Sequence, residues 1–221
     1  MRGICIQRIA VGVLIPLGSW AASRRVPDVP VTQTLRVSVM VFDQAGMPDR
    51  LLSEAQERAG TILGKAGVQV EWIDCHRPAN AAVCTAEADR IFLTIVTEDN
   101  RQVFGEDVLG RSVPGDHGSH GVYARVFYRH VQAKADQERV NPAQILGLAM
   151  AHEFGHLLLG PKAHSDEGIM RANWSRRDME LGAKGQLRFT DQQVRLIRAD
   201  VQSRIEEWER SQNQIRVAGR S

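Results

Sequence analysis

Seven residues carry the chemistry that this chain can do: Ala151-His152-Glu153-Phe154-Gly155-His156-Leu157. Residues four apart on an α-helix lie one turn above each other, so His152 and His156 project from one face and can share a metal ion. Two neutral imidazoles suit Zn²⁺, and Glu153, beside the first histidine, is placed to take a proton from water that the metal activates. A catalytic zinc needs a third protein ligand and an open position. His164, eight residues beyond His156, is the leading candidate, with Asp166, Glu167 and Glu180 as carboxylate rivals.

The elements around these residues must make a helix and then turn the chain back. Asn141-Pro142 is a helix start, with Asn141 as N-cap, Pro142 at the first helical position and Gln144 three residues after the cap. Ile145, Leu148, Ala149, His152, His156 and Leu159 share a broad face that is expected to point at the core, and Gly160 followed by Pro161 ends the helix. Two histidines and a glutamate on such a face carry a desolvation cost that a metal would offset. His164 to Met170 then reads as a tight polar turn closing in an apolar pair.

Upstream, Leu35 to Phe42 alternates as a strand, and Asp49 begins a helix carrying Leu52, Ala55, Ala59, Ile62 and Leu63 that ends near Gly64 or Gly67. Val68 to Ile73 is a second strand. Arg90 to Thr97 is nearly continuous in apolar residues and is expected at the sheet centre. Asn100 to Gly121 reads as a long glycine-rich loop that builds the binding pocket, and Gly121 to Arg129 alternates as a fourth strand. Thr190 starts the last helix, with Gln193 in place for a capping box and Phe189 and Val194 for a hydrophobic staple. That helix is expected to end near Trp208.

The chain has 221 residues, 43% hydrophobic and 24% charged, enough for one domain with a substantial core. Arg2 and Arg8, the apolar run Ile9 to Leu17 and the small residues Ser19 and Ala21 read as an export signal cleaved after residue 21, the alternative being an uncleaved N-terminal anchor. The organisation expected is thus a signal over 1–21, an extended lead-in over 22–34, a single catalytic domain over 35–210 and a flexible tail over 211–221. Loss of Arg2 and Arg8 leaves 26 basic and 26 acidic residues, a balance that argues against a nucleic-acid partner. No membrane partner is expected once the signal is removed. Cys75 and Cys84 remain as an even pair suited to a disulfide in an oxidising compartment. His117 and His120 are expected in a solvated loop rather than at a second metal, and His76 and His130 at the surface.

His152-Glu153-Phe154-Gly155-His156, then Gly160, His164-Ser165 and Met170, resembles a metzincin-type zinc peptidase. The resemblance implies a fold of the α+β class: a twisted, mostly parallel sheet of about four strands packed on a zinc-binding helix, with one helix in the N-terminal half and one at the C-terminus. It further implies one catalytic Zn²⁺ on His152, His156 and His164, Glu153 as general base, Met170 packing beneath the site, and a peptide or protein substrate laid along an edge strand, for which Gly121 to Arg129 is the candidate. This chain departs from the family pattern in two places. Gly160 lies four rather than three positions after His156, and His164 four rather than three after Gly160, and Arg171 stands where a tyrosine often follows the methionine. Tyr123, Tyr128 and Arg171 are candidates for a second oxyanion donor. Rival readings are a gluzincin-type peptidase with Glu180 as third ligand, a zinc-binding module of the same fold without turnover, and a three-histidine metal-dependent endoribonuclease.

Overall fold

The computed structural model describes residues 34–85, 90–97, 108–113, 120–160 and 162–218. The expected signal, most of the lead-in, His117, Pro161 and residues 219–221 lie outside them. Within the described residues the chain is α+β, with a five-stranded, mostly parallel sheet and six helices.

The strands are β1 (Leu35–Asp43), β2 (Val68–Asp74), β3 (Ile91–Val96), β4 (Gly110–Val113) and β5 (Tyr123–Phe127), in the spatial order β2-β1-β3-β5-β4. β1 pairs parallel to β2 and β3, and β3 parallel to β5, while β4 alone runs antiparallel, to β5. The apolar β3 is central, as its composition demands. Side chains alternate across a strand, so Val39, Val41, Ile91, Leu93, Ile95, Ala124 and Val126 share one fully buried face. On the opposite face Phe42, Phe92 and Tyr123 form an aromatic ladder with ring centroids 6.4 and 5.1 Å apart.

Two expectations about the sheet need correction. The stretch read as a loop over Asn100–Gly121 contains β4, a strand whose four residues, Gly-Arg-Ser-Val, have no apolar alternation to announce them. Gly121–Arg129 is consequently not the edge: β5 lies inside, and β4 is the edge strand. β5 also stops at Phe127, because Tyr128 begins a helix.

The helices are α1 (Asp49–Lys65), α2 (Ala81–Thr85), α3 (Tyr128–Glu138), α4 (Pro142–Leu159), α5 (Arg176–Ala183) and α6 (Asp191–Ala218). Pro48, not Asp49, occupies the N-cap of α1, and Asp49 sits in its first turn. Tyr128, Val131 and Ala135 are buried at helical spacing in α3, and Ser175 with Asp178 makes a full capping box for α5. Both signals are visible in the sequence, yet neither helix was expected. The box predicted for α6 is present: Thr190 N donates to Gln193 Oε1 at 3.0 Å and Gln193 N to Thr190 Oγ1 at 3.3 Å. α6 continues past Trp208 to Ala218, so most of the expected tail over 211–221 is helical.

Cys75 and Cys84 form a disulfide that ties the end of β2 to α2. None of the helices among the described residues is long and apolar enough to cross a membrane.

Candidate metal centre

α4 begins as the sequence requires, with the Asn141 side chain accepting from Ala143 N at 2.8 Å and Pro142 in the first turn. Gln144 does not close a box there. Its amide reaches across to the Met179 carbonyl at 3.0 Å and ties α4 to α5. The helix is buried on nearly all sides rather than along one stripe, and His152 and His156 lie on its least buried side. His152, Glu153 and His156 all line one cleft beside this helix. Gly160 ends the helix at φ +88°, a conformation that favours glycine, and its N–H bonds the His156 carbonyl.

The chain then brings His164 back to the pair. His156 Nε2 lies 3.1 Å from His152 Nε2 and 3.1 Å from His164 Nε2, and the three ligand atoms all fall within 4.8 Å of one another. Tetrahedral ligands at zinc distances stand about 3.3 Å apart, close to this spacing. The longer gaps to Gly160 and His164 therefore do not prevent convergence. Asp166, Glu167 and Glu180 are not part of the group, and Glu180 is an exposed side chain beside Arg176 on α5.

The donor chemistry fits a divalent cation. His152 Nδ1 bonds the Ile169 carbonyl at 2.8 Å, which fixes Nδ1–H and leaves the Nε2 lone pair turned to the other two rings. His156 is hydrogen-bonded to the Gly160 backbone. Burial pushes both imidazoles down to about 4, so they are neutral, as ligands must be. Nitrogen lone pairs converging at 3.1 Å repel unless a cation sits among them.

The turn after His164 supports the rings from below. Met170 is fully buried, and a Cβ on Gly155 would stand 2.2 Å from its Sδ. Gly155, inside the His-Glu-x-x-His run, is thus what lets the methionine pack against the helix. Trp174 was not anticipated. Its Nε1 donates to the same Ile169 carbonyl at 3.1 Å, and its ring meets His152 edge-on with centroids 5.6 Å apart.

Glu153 is 5% exposed, and burial pushes its carboxyl up to about 7, against a hydrogen bond from Ser112 that acts to lower it. Its Oε2 is buried with no hydrogen-bond partner among the described residues. The edge strand comes close enough that a Cβ on Gly110 would lie 2.8 Å from Glu153 Cγ and 2.9 Å from Oε1. β4 therefore roofs the Glu153 carboxyl. Sequence could not have shown this, because nothing in Gly110–Val113 marks it as a strand.

These groups open into one cleft of about 530 Å³. Val108 to Ser112 form one wall, Arg171 to Trp174 the other, and Lys134 and Ala149 extend it. The loop expected to build the pocket does so through Val108–Ser112. Of the oxyanion candidates only Arg171 reaches the cleft. Tyr123 is exposed on the aromatic ladder, and Tyr128 is buried away from the histidines. His120 is not solvated: Nδ1 lies 2.9 Å from Asp200 Oδ1 and Nε2 3.4 Å from Glu207 Oε2, so its two nitrogens point to different carboxylates. His130 is buried, its Nδ1 2.7 Å from the Val108 carbonyl, and is not the surface residue expected. His76 is exposed, as expected.

No protein-family model matches this chain, and no curated protein sequence aligns with it significantly.

Proposed function

We propose that this chain is an exported zinc-dependent endopeptidase of metzincin type, and the observation that carries the reading is one cleft holding three convergent imidazole Nε2 atoms and a buried, half-neutral Glu153. His152, His156 and His164 would hold the metal. When bound, zinc supplies Lewis-acid polarisation of a carbonyl and a water acidic enough to lose its proton near neutral pH.

This chain's own residues do the rest. Glu153, with one oxygen held by β4 and Oε2 without a partner, accepts a proton at that oxygen and returns it to the leaving amine. Ile169 fixes the His152 tautomer, and Trp174 closes the wall beside it. β4, the edge strand next to β5 among the described residues, would accept an extended peptide by strand addition, which moves the substrate-binding edge from Gly121–Arg129 to Gly110–Val113. The Cys75–Cys84 disulfide fits the oxidising compartment to which the N-terminal segment would send the chain.

The mature protein is expected to hold about one zinc. Glu153→Ala should keep that zinc while peptide hydrolysis falls by roughly 10²–10⁴-fold. Undiminished hydrolysis in the variant would remove the mechanism, and zinc without turnover in the wild type would leave the binding-module reading.

A further inference from the structure

Resting on the peptidase reading, we propose that Arg171 is a carboxylate receptor in the cleft, so that the substrate carries either an acidic side chain beside the scissile bond or a free C-terminal carboxylate there.

The charged side chains lining the cleft are unevenly signed. Among the described residues Arg111, Lys134 and Arg171 are cationic, and Glu153 is the one carboxylate. Lys134 already donates to Glu138 at 2.9 Å, one turn further along α3. Arg111 is exposed on β4. Arg171 differs in being fixed from behind: Nε donates to the Asp166 carbonyl at 2.9 Å and Nη1 to Asp178 Oδ2 at 3.0 Å. Asp178 is in turn anchored by Ser175 N at 2.7 Å and Ser175 Oγ at 2.6 Å, inside the cap of α5.

That arrangement leaves Nη2 without a hydrogen-bond partner among the described residues, on a side chain 38% exposed that lines the cleft with all three histidines. A guanidinium already immobilised loses little further entropy on binding, and its planar donors match a carboxylate better than any neutral amide. A purely structural arginine would face its partners and not the cleft.

The test uses one peptide core in four matched versions: aspartate or asparagine at the position next to the scissile bond, each with a free or an amidated C-terminus. Binding to zinc-loaded Glu153→Gln protein is read by calorimetry and cleavage by the wild type. The carboxylate-bearing version should bind about tenfold tighter than its neutral match, the size of one charge-assisted bond at a half-exposed site. Which of the two carboxylates gives the gain identifies its source. Arg171→Gln, in the same background, should abolish the ratio between matched peptides and Arg171→Lys should keep part of it, with zinc content and melting temperature checking that each folds. Equal affinity for acid and neutral peptides in the parent, or an equal loss for both in Arg171→Gln, overturns the proposal. The parent comparison decides it even where a variant is unstable. Arg171-dependent binding of the acidic peptide without cleavage by the wild type would uphold this receptor and remove the peptidase reading instead.

Discussion

Gly155→Ala sets two known effects against each other at one position in helix α4. On an exposed helix the change would stabilise by about 1 kcal/mol, because alanine is the better helix former. In this fold the new methyl would stand 2.2 Å from Met170 Sδ, 3.0 Å from Met170 Cε and 2.9 Å from Phe189 Cε1. Carbon and sulfur in good contact need about 3.5–4.0 Å, so Met170 must retreat by more than about 1 Å. Met170 is 0% and Phe189 3% exposed, and neither has room to move into. Overpacking costs about 1–3 kcal/mol, and a clash this close belongs at the upper end. The expected balance is a net loss of about 2 kcal/mol, or a melting temperature about 4–8 °C lower for a domain of this size. Met170 follows Ile169, whose carbonyl holds His152, so the added stability conferred by zinc should shrink as well. Urea denaturation of the parent, Gly155→Ala, Met170→Ala and the double variant, each with zinc and with chelator, measures all of this. Met170→Ala alone should cost about 2–5 kcal/mol through its cavity. In the double variant the two defects partly fill each other, giving a coupling of at least about 0.5 kcal/mol. An unchanged or raised melting temperature in Gly155→Ala, or strict additivity in the cycle, would refute the close packing of Met170 on the helix.

Gly110→Ala probes the roof over Glu153: its Cβ would lie 2.8 Å from the Arg125 carbonyl and 2.8 Å from Glu153 Cγ, so strand and carboxylate cannot both stay in place. Hydrolysis should fall by about 10²-fold while zinc content holds, and a variant with wild-type turnover would show that Glu153 does not depend on β4. The metal-free protein should lose stability as pH falls from 6.5 to 4.5. His152 and His156 are held down to about 4 by burial, so the stability they contribute is complete above their unfolded value of 6.5 and is lost as pH falls towards 4. Glu153, pushed up to about 7, acts oppositely: its contribution is complete below 4.5 and is lost as pH rises through 7. Two imidazoles outweigh one carboxyl, and because His156 is partly solvated the net slope in that window stays below the roughly 1.4 kcal/mol per pH unit of one whole proton. Chelator-treated protein unfolded by urea at pH 6.5 and 5 checks it, and a flat or rising stability towards low pH would contradict these burials.

Much of the site was legible because its elements are set by local chemistry. Asn141-Pro142, Gly160 and the spacing of His152 and His156 specify a capped helix with two rings on one side, since each is settled within a turn or two of backbone. The reciprocal cap at Thr190 and Gln193 and the Cys75–Cys84 pair were readable for the same reason. The helices at Tyr128–Glu138 and Arg176–Ala183 were marked by spacing and by a capping box, and went unread. β4 was different. Gly-Arg-Ser-Val has no alternation of its own and is a strand only because β5 offers it an edge.

By itself, then, the sequence determined the helix that carries His152, Glu153 and His156, its start and stop, and the central strand, all consequences of short-range backbone and side-chain periodicity. Tertiary structure alone decided that His164 rather than Asp166 or Glu180 joins the pair, that β4 roofs Glu153, that Trp174 and Arg171 line the cleft, and that Met170 lies against Gly155. Each of these is a contact between segments whose meeting depends on how sheet and helices pack, and no local pattern encodes that.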